Sequence, residues 1–221
     1  MIGPMTDQLY GACQTLAVLF RRSVMLLIGL SLFGISLGLV VRAGLGLAPW
    51  DVFHEGVSER LDLSLGTVIV ATSFVVLLLW IPLRERPGVG TIGNAILVGV
   101  WVDITMAVIP EIDGALIGRV ALLLLGVSIN GLATGLYIGA GMGSGPRDGL
   151  MTGIASRGHS IRAVRTSIEA IVLVTGFALG GTIGVGTLLY ALAIGPIAHK
   201  TIPWFVRLSG RDVRGLLVDQ H

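Results

Sequence analysis

Two eight-residue elements carry the residue types best suited to chemistry. Gly44-Leu-Gly-Leu-Ala-Pro-Trp-Asp51 and Gly141-Met-Gly-Ser-Gly-Pro-Arg-Asp148 share two glycines, a proline and an aspartate at the same spacing. The glycines end a preceding helix and allow irregular backbone. The proline suits the first turn of a new helix, where its missing N–H is not needed. The aspartate two residues later meets the positive end of that helix's dipole. The helices so begun, 49–60 and 146–157, are too short to span a bilayer, so they are either interfacial or re-entrant. Non-helical backbone at membrane depth survives only against protein or a water-filled cavity. If the helices are re-entrant, two helix N-termini converge on a site for an anionic or zwitterionic solute, lined by Pro49, Trp50, Asp51, Pro146, Arg147 and Asp148. The plainer reading of each aspartate alone is the start of an interfacial helix. A second pair, Asp103 and His199, lies inside apolar stretches. Ionisable groups there are costly and commonly functional, so a proton-coupling role is an expectation, set against a mere helix end near the interface.

The elements that must position these residues are membrane helices. The chain has 221 residues, 53% hydrophobic and 13% charged, with mean hydropathy +0.89. A soluble domain carries about 25% charge and could not hide so much apolar surface. The apolar stretches 23–41, 63–83, 88–109, 120–138, 166–181 and 187–205 predict six transmembrane helices. Residues 8–20 are expected to form a separate interfacial helix ahead of Arg21. With both termini cytoplasmic, Arg21, Arg22, Arg84, Arg86, Arg147, Arg157, Arg162, Arg165, Lys200, Arg207, Arg211 and Arg214 lie inside. Only Arg42, Arg60 and Arg119 then lie outside. That asymmetry is the positive-inside signature of a multi-pass inner-membrane protein. Trp50, Trp80 and Trp204 fall where an aromatic belt would sit.

Sliding the chain against itself by 97 residues superposes Arg22, Gly29, Gly34 and Gly38 on Arg119, Gly126, Gly131 and Gly135. Pro49, Asp51 and Arg60 fall on Pro146, Asp148 and Arg157. With the offset at 96, Gly88-Val-Gly-Thr91, Gly99 and Asp103 fall on Gly184-Val-Gly-Thr187, Gly195 and His199. Apolar bias yields chance leucine matches, but not ordered proline, aspartate and arginine. The expected architecture is therefore all-α and integral to the membrane, a 3+3 inverted repeat with two short re-entrant or interfacial helices. Its parts are a cytoplasmic segment 1–22, repeat 1 over 23–110, repeat 2 over 120–206 and a cytoplasmic tail 207–221. The pairs Gly34/Gly38 and Gly131/Gly135 allow close backbone approach, either between the first and fourth spans or in a homodimer. Asn130 is placed to bond across helices.

The single Cys13 excludes an internal disulfide and a cysteine-based metal cluster. No basic run suggests nucleic acid, and no metal or cofactor motif is present. Gly88-Val-Gly-Thr-Ile-Gly93 matches a dinucleotide fingerprint but follows an apolar helix rather than a strand. No enzyme function is expected. The Gly-x-Gly-x-x-Pro-Trp-Asp element at Gly44–Asp51, its partner at Gly141–Asp148 and Gly184-Val-Gly-Thr187 resemble the YczE family of bacterial membrane proteins, relatives of the YitT group. The resemblance implies an inner-membrane protein of about six helices and no established substrate. The sequence thus predicts a small secondary transporter or exporter of a small polar or anionic solute, working by alternating access between the repeats. A channel of the same symmetry, or a non-transporting membrane partner or assembly protein, is the alternative.

Overall fold

The computed structural model describes residues 3–112, 114 and 116–211, with side chains from residue 15 onward; Arg214 and most of the expected tail lie outside these residues. Eight helices follow in order: α1 Gly3–Ala43, α2 Pro49–Leu61, α3 Leu65–Leu83, α4 Val89–Val108, α5 Leu116–Ala140, α6 Pro146–Ala155, α7 Ile161–Leu179 and α8 Val185–Leu208. No strand occurs among the described residues. Residues 8–20, expected as a separate helix, continue into α1 without a break, since no glycine or proline interrupts the chain between Gly11 and Gly29. Five helices, α1, α3, α4, α5 and α8, are long and apolar enough to cross a membrane. The sixth expected span, α7, has the length but carries Arg162, Arg165 and Glu169 in its first turns. Pro196 and Pro203 lie within α8, which nonetheless runs unbroken to Leu208.

Contacts recur in pairs whose positions differ by 96 or 97 residues. Arg22 donates to the carbonyls of Ala140 (2.6 Å) and Gly141 (2.5 Å) at the end of α5. Arg119 donates to those of Ala43 (2.8 Å) and Gly44 at the end of α1. Each cation meets the negative end of the other helix's dipole and satisfies carbonyls the helix leaves orphaned. Arg60 donates to Leu179 O (3.1 Å), and Arg157 to Pro82 O (2.5 Å). Gly90 N donates to Met142 O (2.8 Å), and Gly186 N to Leu45 O (2.7 Å). These bonds define two ends of the bundle, an Arg119 end and an Arg22 end.

The glycine pairs pack differently from the expectation. A Cβ on Gly34 would lie 2.6 Å from Val98 O, and one on Gly38 2.7 Å from Thr105 Cβ, so this pair seats α1 on α4. Gly131 and Gly135 seat α5 on α8, against Ile197 and Thr201. The α1–α5 crossing is made instead at Gly29, against Tyr137, and Gly126, against Val40 and Ser36. Asn130 holds that crossing: its Nδ2 donates to Ser36 Oγ (2.8 Å), and its Oδ1 accepts from Tyr190 OH of α8 (2.9 Å). Such a buried network is stable because every member has a partner.

The breaks before α2 and α6 need glycine. Gly46 (φ +108°) and Gly143 (φ +130°) adopt backbone that side chains disfavour. A Cβ on Gly46 would stand 2.4 Å from Gly184 N, and one on Gly143 3.1 Å from Gly88 Cα. Each break is thus pressed onto the first turn of α8 or α4, where Thr187 and Thr91 accept from the N–H groups of Gly184 (3.2 Å) and Gly88 (3.1 Å).

Candidate functional site

The N-termini of α2 and α6 meet in the interior. Pro49 and Pro146 open the two helices, with Asp51 and Asp148 in the first turns. Arg147 Nη2 lies 3.6 Å from Asp51 Oδ1. The Arg147 guanidinium also stands 5.3 Å from the centre of the Trp50 ring, within cation–π range. Asp148 accepts from Tyr137 OH at 2.8 Å. Around them opens a cavity of about 360 Å³ lined by residues of all eight helices. Of the residues singled out by the sequence, Pro49, Trp50, Pro146, Arg147, Asp148 and His199 line it, and Asp51 backs it through Arg147.

Trp50 and Trp80 are buried rather than belted at an interface. Trp80 Nε1 donates to Pro146 O (3.0 Å), and a Cβ on Gly149 would touch the Trp80 ring, so α3 clamps the start of α6. Trp50 packs with Val76, Leu150 and Met151 beneath Arg147. Trp204 alone of the three is exposed.

Asp103 does not line the cavity. Its carboxylate accepts from Ser64 Oγ (2.7 Å) and from the N–H of Gly66 (2.7 Å), joining the end of α4 to the start of α3. A Cβ on Gly66 would be 2.1 Å from Gly99 O, so α3 and α4 touch backbone to backbone beside that bond. The corresponding pair, α7 and α8, makes at most marginal contact. There His199 is exposed and borders the cavity, and a Cβ on Gly195 would meet nothing within 4 Å. The cavity wall is therefore closed between α3 and α4 and incomplete between α7 and α8. Asp103 and His199 stand at related positions but are not brought together.

A second hollow of about 490 Å³ lies at the Arg119 end, bordered by Arg42, Glu55, Glu59, Glu111 and Arg119. One buried cluster joins Leu65, which borders this hollow, to Ile69 and Val98, which line the central cavity. The layer between the two spaces is apolar on this side, while on α2 the buried Asp51 and His54 lie between Trp50, which lines the cavity, and Glu55, which borders the hollow. Burial raises the Glu55 carboxyl from its ordinary value, and the N–H of Thr182 offsets this in part.

His54, Tyr137 and Tyr190 carry no role in the sequence analysis, and Arg165 none beyond its charge. His54, one turn after Asp51, is buried, with Nδ1 3.5 Å from Asp51 Oδ1. Burial, more than the approach of Asp51 offsets, lowers its basicity below that of an ordinary imidazole, and Arg147 lowers it further. Trp50 Nε1, Asp51 Oδ1 and His54 Nδ1 are buried without a hydrogen-bond partner. Tyr137 and Tyr190 line the cavity, and Arg165 pairs with Glu169 (2.9 Å) at its incomplete wall. The i, i+3 spacing of Asp51 and His54 was the available signal. Among the described residues no three of His, Cys, Asp and Glu gather into a metal site.

Five apolar helices of membrane-spanning length, packed through glycines around a polar interior, define a multi-pass membrane protein. The chain belongs to the family of unknown function DUF6198, whose model matches residues 20–203. It is 40% identical over 190 residues to an uncharacterized protein of Haemophilus influenzae, covering 86% of this chain and 87% of the relative. It is 33% identical over 178 residues to the uncharacterized membrane protein YczE of Bacillus subtilis, covering 80% and 82%, so the family is YczE-like. The uncharacterized protein YyaS of the same organism is 28% identical over 182 residues, covering 80% and 90%. No solved structure matches the chain.

Proposed function

We propose that this chain is a small secondary transporter of a polar solute, made of six crossings in a 3+3 inverted repeat, working by alternating access. In this reading α1, α3 and α4 form the first unit and α5, α7 and α8 the second, with α2 and α6 re-entrant. The duplicated arginine caps and the duplicated glycine contacts, each reached from the opposite unit, support it. In this reading the Arg22 end faces the cytoplasm of a bacterial cell and the chain lies in its inner membrane, which the positive-inside count supports. The solute sits at Trp50, Arg147 and Asp148, between the units, and the role is transport rather than catalysis.

One observation carries the reading. The seal made by Gly66, Gly99, Ser64 and Asp103 between α3 and α4 has no equivalent between α7 and α8, although Ser160, Gly195 and His199 occupy the related positions. In this reading the sealed α3–α4 end and the unsealed α7–α8 end are one half of an alternating cycle. The other half exchanges the two arrangements, closing α7 onto α8 as α3 leaves α4.

The test uses two cysteine pairs in a Cys13→Ser background, Ser64→Cys with Asp103→Cys and Ser160→Cys with His199→Cys. Each pair is expected to cross-link alone. With all four cysteines present, locking the first pair is expected to suppress the second, and the reverse. If both pairs cross-link in the same molecules, the ends move independently and a channel of this symmetry replaces the carrier.

A further inference from the structure

Asp51 is about as buried as a carboxylate becomes, 5% exposed, and does not itself border the cavity. Its Oδ1 faces two groups, Arg147 at 3.6 Å and His54 Nδ1 at 3.5 Å, and is hydrogen-bonded to neither. Arg147 does border the cavity, with its side chain 26% exposed. It therefore connects the solute space to a buried anion through a contact loose enough to exchange. The Trp50 Nε1 beside it is a buried donor with no acceptor, on a side chain that lines the cavity. On the other side of Arg147, Asp148 has Tyr137 OH as its one hydrogen-bond partner.

The charges decide what fits. Arg147 is the cation that faces both Asp51 and the cavity, Arg165 and Glu169 neutralise each other at the solvated wall, His199 borders the cavity on α8, and the first turns of α2 and α6 turn the positive ends of their dipoles inward. Glu55 lies on the same helix as Asp51, facing Thr182, while Tyr137 and Tyr190 remain neutral phenols in hydrogen bonds. Among the buried groups one guanidinium, Arg147, thus stands between two carboxylates, Asp51 and Asp148. A simple anion would compete with both of them for that cation. A zwitterion brings its own cation to Asp148, and a proton on Asp51 takes the place of Arg147 there.

Resting on the transporter reading, we infer that the site takes a small zwitterion of the amino-acid class together with one proton. The solute carboxylate binds Arg147 and Trp50 Nε1, and its ammonium group binds Asp148. Once Arg147 turns to the solute, Asp51 loses its nearest cation. The proton then bonds to Asp51 Oδ1 and is donated to His54 Nδ1, so two orphaned buried atoms become partners. Release of the solute returns Arg147 to Asp51 and expels the proton. Solute and proton therefore move in the same direction.

The full-length chain in sodium-free proteoliposomes tests this with a labelled mixture of the proteinogenic amino acids. Counterflow is expected without a gradient, and, with the membrane potential held at zero by potassium and valinomycin, an inside-alkaline gradient of about one pH unit should accumulate solute about tenfold, as one coupled proton requires. Propionate and propylamine, each half of the zwitterion, should compete poorly. Asp51→Asn removes the titrating oxygen, so gradient-driven accumulation and the pH dependence of solute binding should both be lost. Should Asp51→Asn fail to fold, His54→Gln takes its place, with both reduced. Counterflow by the parent without gradient-driven accumulation, or accumulation kept in the folded variant, overturns the proton site. Absence of counterflow with every amino acid overturns the solute class. The cross-linking test needs no solute, so failure there strikes the transporter reading itself.

Discussion

Gly99→Leu is expected to damage the protein at rest, and Gly195→Leu to leave the resting fold intact while stopping its cycle. The two positions are sequence equivalents in different surroundings. A Cβ on Gly99 would lie 2.4 Å from Gly66 O and 2.6 Å from Val70 Cγ2, so a leucine must force α3 from α4. Overpacking of this kind costs about 1–3 kcal/mol, and more where the obstacle is backbone. The gain in helix propensity from replacing glycine, about 1 kcal/mol or less, does not offset it. Gly195 has open space instead, and there the propensity gain stands alone. Thermal unfolding in detergent should show Gly99→Leu destabilised and Gly195→Leu unchanged or slightly more stable. The second expectation is dynamic: with leucine at 195, α8 cannot reach α7, and the Ser160→Cys/His199→Cys cross-link should fall to background. A cross-link of undiminished yield would mean that Gly195 faces lipid throughout.

Asp103→Ala should unseal the other end. The carboxylate holds Ser64 Oγ and Gly66 N–H, both at 2.7 Å. Hydrogen bonds to a charged group are worth about 1.5–3 kcal/mol each when well shielded. Asp103 is half-buried and Ser64 exposed, so solvent competes for both. We therefore expect about 1–2 kcal/mol in all, which moves a two-state balance about 5–30-fold. In the variant, the Ser160→Cys/His199→Cys cross-link should form faster by that factor, because opening one end permits closing of the other. A rate equal to that of the parent would show that Asp103 serves stability alone.

These effects rest on features the sequence displayed unevenly. The helix starts at Pro49 and Pro146 are legible because the element occurs twice; their convergence is one of two readings the sequence leaves open, and the structure brings Asp51 and Arg147 within 3.6 Å. Proline, glycine and aspartate are constrained by local backbone, and a duplicated local constraint survives in sequence. Which helix a glycine pair faces is not local. Gly34 and Gly38 allow any close neighbour, and only the tertiary arrangement selects α4 over α5. Trp50 and Trp80 were misplaced for a related reason. Tryptophan near a span end suits an interface, yet a buried carbonyl, here Pro146 O, satisfies its indole N–H equally well. Asp103 and His199 were seen as a pair, but their difference in state was not. One is bonded and the other faces open space, and a sequence records neither condition. His54 was overlooked because a lone histidine in a short helix carries no pattern beyond its spacing from Asp51.

The two ends can be located without knowing the solute. Single cysteines replacing Ile202, in the cavity wall near the Arg22 end, and Glu111, at the Arg119 end, would be exposed to a membrane-impermeant maleimide applied to sealed vesicles of each orientation. The account predicts labelling of Ile202→Cys from the cytoplasmic side alone and of Glu111→Cys from the opposite side alone. Labelling of both from one side, or of Ile202→Cys from either side, would contradict it.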